Sequence, residues 1–159
     1  MINRAIVMSE AVLASRLRQF PNLVQHHVVV CITEPGQPFL NIEGENVLRL
    51  TFHDLDPQLL GDGDKSCLRR YTVFSEALAD HVVRFLIERN QKTGKAQILV
   101  VQCQAGIARS GAVARFAVEL FKLNQDEFKA DNPNIEPNKH VLALLRRSAG
   151  LPQPNPESE

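Results

Sequence analysis

Cys103, Arg109 and Ser110 are the residues of this 159-residue chain whose types and spacing could do chemistry together. A cysteine thiolate is a strong nucleophile, and a guanidinium is a planar, two-pronged donor for an oxyanion. Between them run Gln104-Ala105-Gly106-Ile107-Ala108, uncharged and mostly small, so the loop's backbone N–H groups can converge on one centre. A helix opening at Arg109-Ser110 would add partial positive charge from its N-terminus. Together these make an anion cradle with a nucleophile at its floor. A free thiol has a pKa of about 8.5, and a helix N-terminus with a nearby cation lowers it to about 3.5–7.5.

The flanks must position that loop. Gln97 to Gln102 is a short apolar run rich in β-branched residues, which predicts a buried strand ending at the cysteine. Ala112 to Leu120 is apolar almost all round, with a stripe at Val113, Phe116, Ala117, Leu120 and Phe121, which predicts a helix buried on most sides. The plain alternative is a core cysteine in an ordinary strand–helix turn. It does not explain an arginine in the tightest part of an apolar unit.

Cys103-x5-Arg109-Ser110, with Ala105-Gly106 inside the loop, resembles the signature loop of the cysteine-dependent protein tyrosine phosphatase superfamily, most closely its compact, dual-specificity-like members. Three predicted strands precede the loop, which resembles the classical and dual-specificity branch; the low-molecular-weight branch has it near the N-terminus. The resemblance implies a three-layer α/β/α fold with a small, mostly parallel four-stranded sheet. It implies hydrolysis of phosphate monoesters, phosphotyrosine-like and including dual specificity, through a phosphocysteine on Cys103. The amides of Gln104, Ala105, Gly106, Ile107, Ala108 and Arg109 would bind phosphate. Ser110 would donate a hydrogen bond to the sulfur as it leaves; its plainer role is helix capping. No cofactor or metal is implied. The expected partner is a phosphorylated protein or small phosphomonoester.

The general acid implied by the resemblance is an Asp after the strand that precedes the long helix. Phe52-His53-Asp54-Leu55-Asp56-Pro57 offers Asp54 first, because it comes first off the strand, and Asp56 as the alternative. Asp62 and Asp64 follow, and the whole segment also reads as a solvated acidic loop. His53 reads as a strand-end residue. The Trp-Pro-Asp triplet of the classical relatives is absent, since the chain has no Trp. Gln102 stands where relatives usually have His, and it cannot carry charge. A second reading is therefore a catalytically weak or inactive phosphate-recognition module. A third is a rhodanese-type sulfur carrier, which the Arg-Ser at the loop's end argues against. No Lys or Arg lies inside the loop, so a polyphosphate headgroup is disfavoured.

Lys+Arg and Asp+Glu both number 18, so net charge is +0 and nucleic acid is disfavoured as main ligand. The apolar runs fall short of a membrane span, and the N-terminal Ala5-Ile6-Val7-Met8 is too brief for a signal core. Cys31, Cys67 and Cys103 are widely spaced, with no metal-ligand pattern, and fit a reducing, cytoplasmic setting. A protective disulfide from Cys31 or Cys67 to an oxidised Cys103 is one use for the others.

The remaining pattern predicts strands at 4–8, 27–32 and 47–52, and a short helix capped by Ser9 and ending before Pro21. A long helix follows, with Phe74, Ala77, Leu78, His81, Val82, Phe85 and Leu86 as its apolar face and His81 as a core residue. Arg69-Arg70 reads as solvated loop or as an entrance to the site. Residues 123–137 read as polar loop, and a last helix, N-capped by Asn138, stops at Gly150. The expectation is one phosphatase-like domain over 1–150 and a disordered, Pro-rich tail over 151–159.

Overall fold

A computed structural model describes residues 1–61, 63, 65–92 and 94–155, without the side chains of 65–67. Asp62, Asp64 and the thiol of Cys67, all named above, lie outside the described residues, as does the end of the tail at 156–159.

The apolar runs form four strands: β1 (Ile2–Ser9), β2 (Val28–Thr33), β3 (Val47–Thr51) and β4 (Gln97–Cys103). They pair in the order β1-β4-β2-β3, every pair parallel. Parallel strands need crossovers; helices make those from β1 to β2 and from β3 to β4, while residues 34–46 join β2 to β3 without one. On one face lie α1 (Glu10–Gln19) and the short α2 (Leu23–His26), whose Leu13, Leu17, Leu23 and Val24 pack with Val29, Cys31 and Val100. On the other lie α3 (Glu76–Lys92), α4 (Arg109–Leu120), α5 (Gln125–Asp131) and α6 (Lys139–Ala149), packed on Val28, Val30, Ile32, Leu99 and Val101. The result is the expected three-layer α/β/α sandwich. Covered on both faces, β2 is apolar along nearly its whole length.

The sheet's two faces sort the cysteines. Along β4, Leu99, Val101 and Cys103 face the α4 side, while Val100 faces α1. Cys31 on β2 also faces α1 and pairs in register with Gln102. Cys31 and Cys103 thus point to opposite sides of the sheet, and the protective disulfide between them is ruled out by geometry.

α4 crosses the middle: Arg109 to Ala114 and Phe116 to Val118 are all buried. Phe116 has no exposure, so Phe116→Ala costs about 3–5 kcal/mol. α3 differs from expectation. Its buried face is Ala79, Val82, Val83, Leu86 and Arg89, whereas Ala77 and His81 are exposed. The helix starts after Phe74, so that ring is buried from the preceding loop and the helical stripe begins at Ala79. His81 is therefore not a core residue.

α5 lies where the sequence reads as polar loop. It is short, buries Phe128, and is N-capped by Asn124, whose side chain accepts from the Glu127 amide at 3.0 Å. It covers the edge strand β1: buried Asn132 accepts from the Val7 amide at 2.7 Å and donates to the Ala5 carbonyl at 3.0 Å. Arg4 grips Asp131 with two bonds of 2.7 Å. The tail, expected to be disordered from its first residue, is tied down at its start. Leu151 packs against the core and its amide donates to the Arg146 carbonyl at 2.8 Å, while Gln153 donates to the Ala143 carbonyl at 2.9 Å.

Candidate active site

β4 ends at Cys103 and α4 begins at Arg109, so residues 104–108 must turn the chain inside one short loop. Gly106 makes the turn with φ +69°, a conformation that L side chains rarely adopt. A Cβ there would lie 2.6 Å from the Ser9 nitrogen and 2.8 Å from the Met8 carbonyl carbon, so only glycine fits on both counts.

The scaffold takes the loop's carbonyls. Glu10 N–H donates to the Gln104 carbonyl at 3.2 Å, Glu136 N–H to Ile107 at 3.2 Å, and Asn138 N–H to Ala108 at 3.0 Å. With those carbonyls turned out, loop amides are left facing in. The N-cap residue of α4, Ala108, has no side-chain hydrogen bond, so no capping group competes for the helix's first N–H groups.

Those donors meet at the sulfur. Cys103 is 2% exposed, and its Sγ lies 3.0 Å from Ser110 Oγ. Burial alone pushes this thiol up. The Ser110 hydroxyl and the amides of Ser110, Ile107 and Gly106 more than offset it, and the thiol is held below its ordinary pKa. Ser110 sits inside the first turn of α4, so its hydroxyl serves the sulfur and is not the helix cap.

Arg109 is 5% exposed, and its guanidinium donates to the Phe52 carbonyl at 3.0 Å. A second terminal nitrogen lies 3.9 Å from Glu34 Oε1, and Nε is buried without a partner. The fork is thus anchored at the ends of β2 and β3, with donor capacity left over. No local pattern in the sequence singles out Glu34, which directly follows β2.

The Asp candidates separate. Asp54 is exposed, and its Oδ1 accepts from Asn138 Nδ2 at 2.8 Å. Asp56 instead serves its own backbone, since its Oδ1 accepts from the Gln58 amide at 3.0 Å and caps a short 3₁₀ turn, Pro57–Leu59. Asn138 caps α6 through the Val141 amide at 3.1 Å, as expected. It also joins the Asp54 loop to the cradle, since its side chain donates to the Leu55 carbonyl at 3.1 Å while its own amide holds Ala108. His53 closes the base of that loop: its amide donates to the Thr72 carbonyl at 2.8 Å and its Nδ1 accepts from the Thr72 amide at 2.9 Å. Arg69 and Arg70 are exposed at the end of a 3₁₀ helix, Lys65–Arg70.

Gln102 faces away from the cradle, between Met8 and Cys31 on the neighbouring strands. It is 2% exposed and its Oε1 is buried without a hydrogen-bond partner. Among the described residues no group of His, Cys, Asp and Glu could hold a metal ion, and no helix is long and apolar enough to cross a membrane.

No family model matches the sequence, and neither does any curated relative. Solved structures do. Human DUSP28 aligns with a TM-score of 0.53 at 23% identity, over 92% of this chain and 88% of that one. PTPMT1 in complex with PI(5)P aligns at 0.49 and 14% identity, over 92% and 90%. A mouse putative dual specificity phosphatase complexed with zinc tungstate aligns at 0.46 and 20%, over 83% and 76%. The likeness to DUSP28 establishes the fold: this chain folds as a compact dual-specificity phosphatase does.

Proposed function

We propose that the protein is a cysteine-dependent phosphatase acting on phosphotyrosine-like monoesters, with dual specificity within its range. The observation that carries this reading is the buried Cys103 thiol, held below its ordinary pKa by the Ser110 hydroxyl and the inward amides of the loop. An inert core cysteine has no such set of donors.

In the proposed reaction the phosphoryl group rests on the amides of residues 104–109, with the Arg109 fork on two of its oxygens. These contacts gain most when charge is spread over the oxygens in transit, so they lower the barrier. The Cys103 thiolate attacks phosphorus, an S–P bond forms, and the ester P–O bond breaks. Asp54 gives its proton to the departing oxygen. Water then attacks phosphorus and loses a proton to Asp54, and the S–P bond breaks. Ser110 stabilises the sulfur as it regains its charge, and inorganic phosphate leaves. Support for Asp54 over Asp56 is the capping duty of the latter and the Asn138 bridge of the former. The working unit is taken as one domain over 1–150. A thiolate of this kind fits a reducing compartment, hence the cytoplasm.

Gln102 favours a second reading, a phosphate-recognition module that binds without turnover. Its amide oxygen is buried without a partner, on the face turned away from the cradle. Hydrolysis of an aryl phosphate separates the two. The enzyme reading requires turnover that vanadate inhibits and Cys103→Ser abolishes. Tight vanadate binding without turnover in the wild type would favour the module.

A further inference from the structure

Behind the first residue of the loop is a second polar recess. It is bounded by Glu10, Thr33, Glu34, Gln37, Gln102 and Gln104 and holds about 100 Å³. Its chemistry is one-sided. Two carboxylates, three carboxamides and a hydroxyl line it, and no cationic side chain does. Two of its oxygens, Gln102 Oε1 and Thr33 Oγ1, are buried without any hydrogen-bond partner. Gln102 itself is 2% exposed. A buried acceptor left unmade costs about 1–3 kcal/mol, so the recess favours an occupant that brings donors.

Size and place narrow the occupant. A water molecule takes about 30 Å³ in the liquid, so the recess has room for the head of one long side chain and not for a whole residue. It borders the phosphate cradle at Gln104 and shares Glu34 with Arg109. An occupant therefore touches the first residue of the loop and the carboxylate that contacts Arg109.

We infer that this recess is a substrate subsite for the ammonium or guanidinium of a Lys or Arg flanking the phosphorylated residue. The inference rests on the phosphatase reading and sharpens its substrate class to phosphopeptides with a basic neighbour. The basic head faces the carboxylates of Glu10 and Glu34, and the buried Gln102 and Thr33 oxygens accept from it once those side chains turn toward the recess. Glu34 keeps its contact with Arg109, so Glu10 supplies the charge that serves the subsite alone. A glutamate in the flanking position meets two like charges and is rejected.

The test is kcat/KM for a phosphotyrosine peptide series with Lys, Ala or Glu on either side of the phosphoresidue, with an aryl phosphate as the reference without a flank. For the wild type, Lys on one side should exceed Ala by about tenfold, as for a charge-assisted hydrogen bond, and Glu should be poorest. Thr33→Val should shrink the Lys preference to about threefold or less while aryl phosphate turnover stays unchanged, and Glu10→Gln, which keeps the backbone N–H on the Gln104 carbonyl, should shrink the preference as well. Equal rates across the series in an active enzyme overturn the subsite and leave the phosphatase reading standing. A uniform loss in Glu10→Gln, aryl phosphate included, also overturns it, because Glu10 would then act on the loop. If the aryl phosphate is not turned over, the enzyme reading falls, and the same peptides are ranked by calorimetric affinity. A Lys preference in binding then upholds the subsite, and flat or absent binding ends it.

Discussion

Cys103 and Cys31 lie on neighbouring strands of one sheet, at 2% and 0% exposure. Burial pushes the Cys31 thiol up to about 12, with only Arg49 pulling the other way. Cys103 suffers the same burial, yet its thiol is held below its ordinary value by the Ser110 hydroxyl and three amides. The difference is local architecture. Cys31 sits mid-strand, where the neighbouring amides belong to the sheet ladder. Cys103 is the last residue of its strand, beneath a loop whose carbonyls are held by Glu10, Glu136 and Asn138. Burial by itself makes a thiol inert; burial under convergent donors makes it acidic.

The sharpest way to break the contrast is to exchange each sulfur for oxygen. Cys103→Ser should lower aryl phosphate turnover by about 10³-fold or more, since a hydroxyl is not ionised there. Cys31→Ser should leave kcat/KM unchanged and instead lower the thermal midpoint, because a hydroxyl is buried among apolar groups at a cost of about 1–3 kcal/mol. Comparable rate losses in both would place the two cysteines in one class.

Next in size is the loop that makes the difference. Gly106→Ala sets a methyl against the Ser9 and Met8 backbone, so the amides must move, and turnover should fall by about 10²-fold with the fold retained by circular dichroism. Asp54→Asn should cost about 10²-fold in kcat with little change in vanadate affinity, while Asp56→Asn, which keeps an oxygen to cap the 3₁₀ turn, should stay within about threefold and leave stability nearly unchanged. If the two Asp variants trade places, the proton donor is misassigned.

The smallest effect belongs to Ser110→Ala. Its hydroxyl favours the charged sulfur, so removing it raises the folded-state pKa of Cys103. The pH at which the thiol becomes reactive should therefore move up, with turnover lowered about tenfold, in the range of one charge-assisted hydrogen bond. An unmoved pH profile would mean that the amides alone set the ionisation.

Much of this was legible in the residues. The β-branched run ending at Cys103 and the all-apolar helix behind Arg109 are signals of buried elements, and both stand as read. The pattern misled where one turn of helix or one chain reversal decided the outcome. Phe74 is buried ahead of α3 rather than on it, which shifted the expected stripe and placed exposed His81 in the core. α5 contributes one buried side chain, too few for a periodic signal, although Asn124 and Glu127 at its start carry a capping pattern. Glu34 and the Phe52 carbonyl reach Arg109 from the ends of two other strands, a meeting that no local pattern encodes.

The contrast between the two sulfurs is open to one direct measurement: the rate of iodoacetamide alkylation at each cysteine as a function of pH, resolved by mass spectrometry on the folded protein. A Cys103 held by those donors is alkylated at pH values below those a free cysteine requires, is shielded by vanadate, and leaves Cys31 unmodified until unfolding. Cys103 alkylation that tracks an ordinary thiol, or that is as slow as at Cys31, would contradict it.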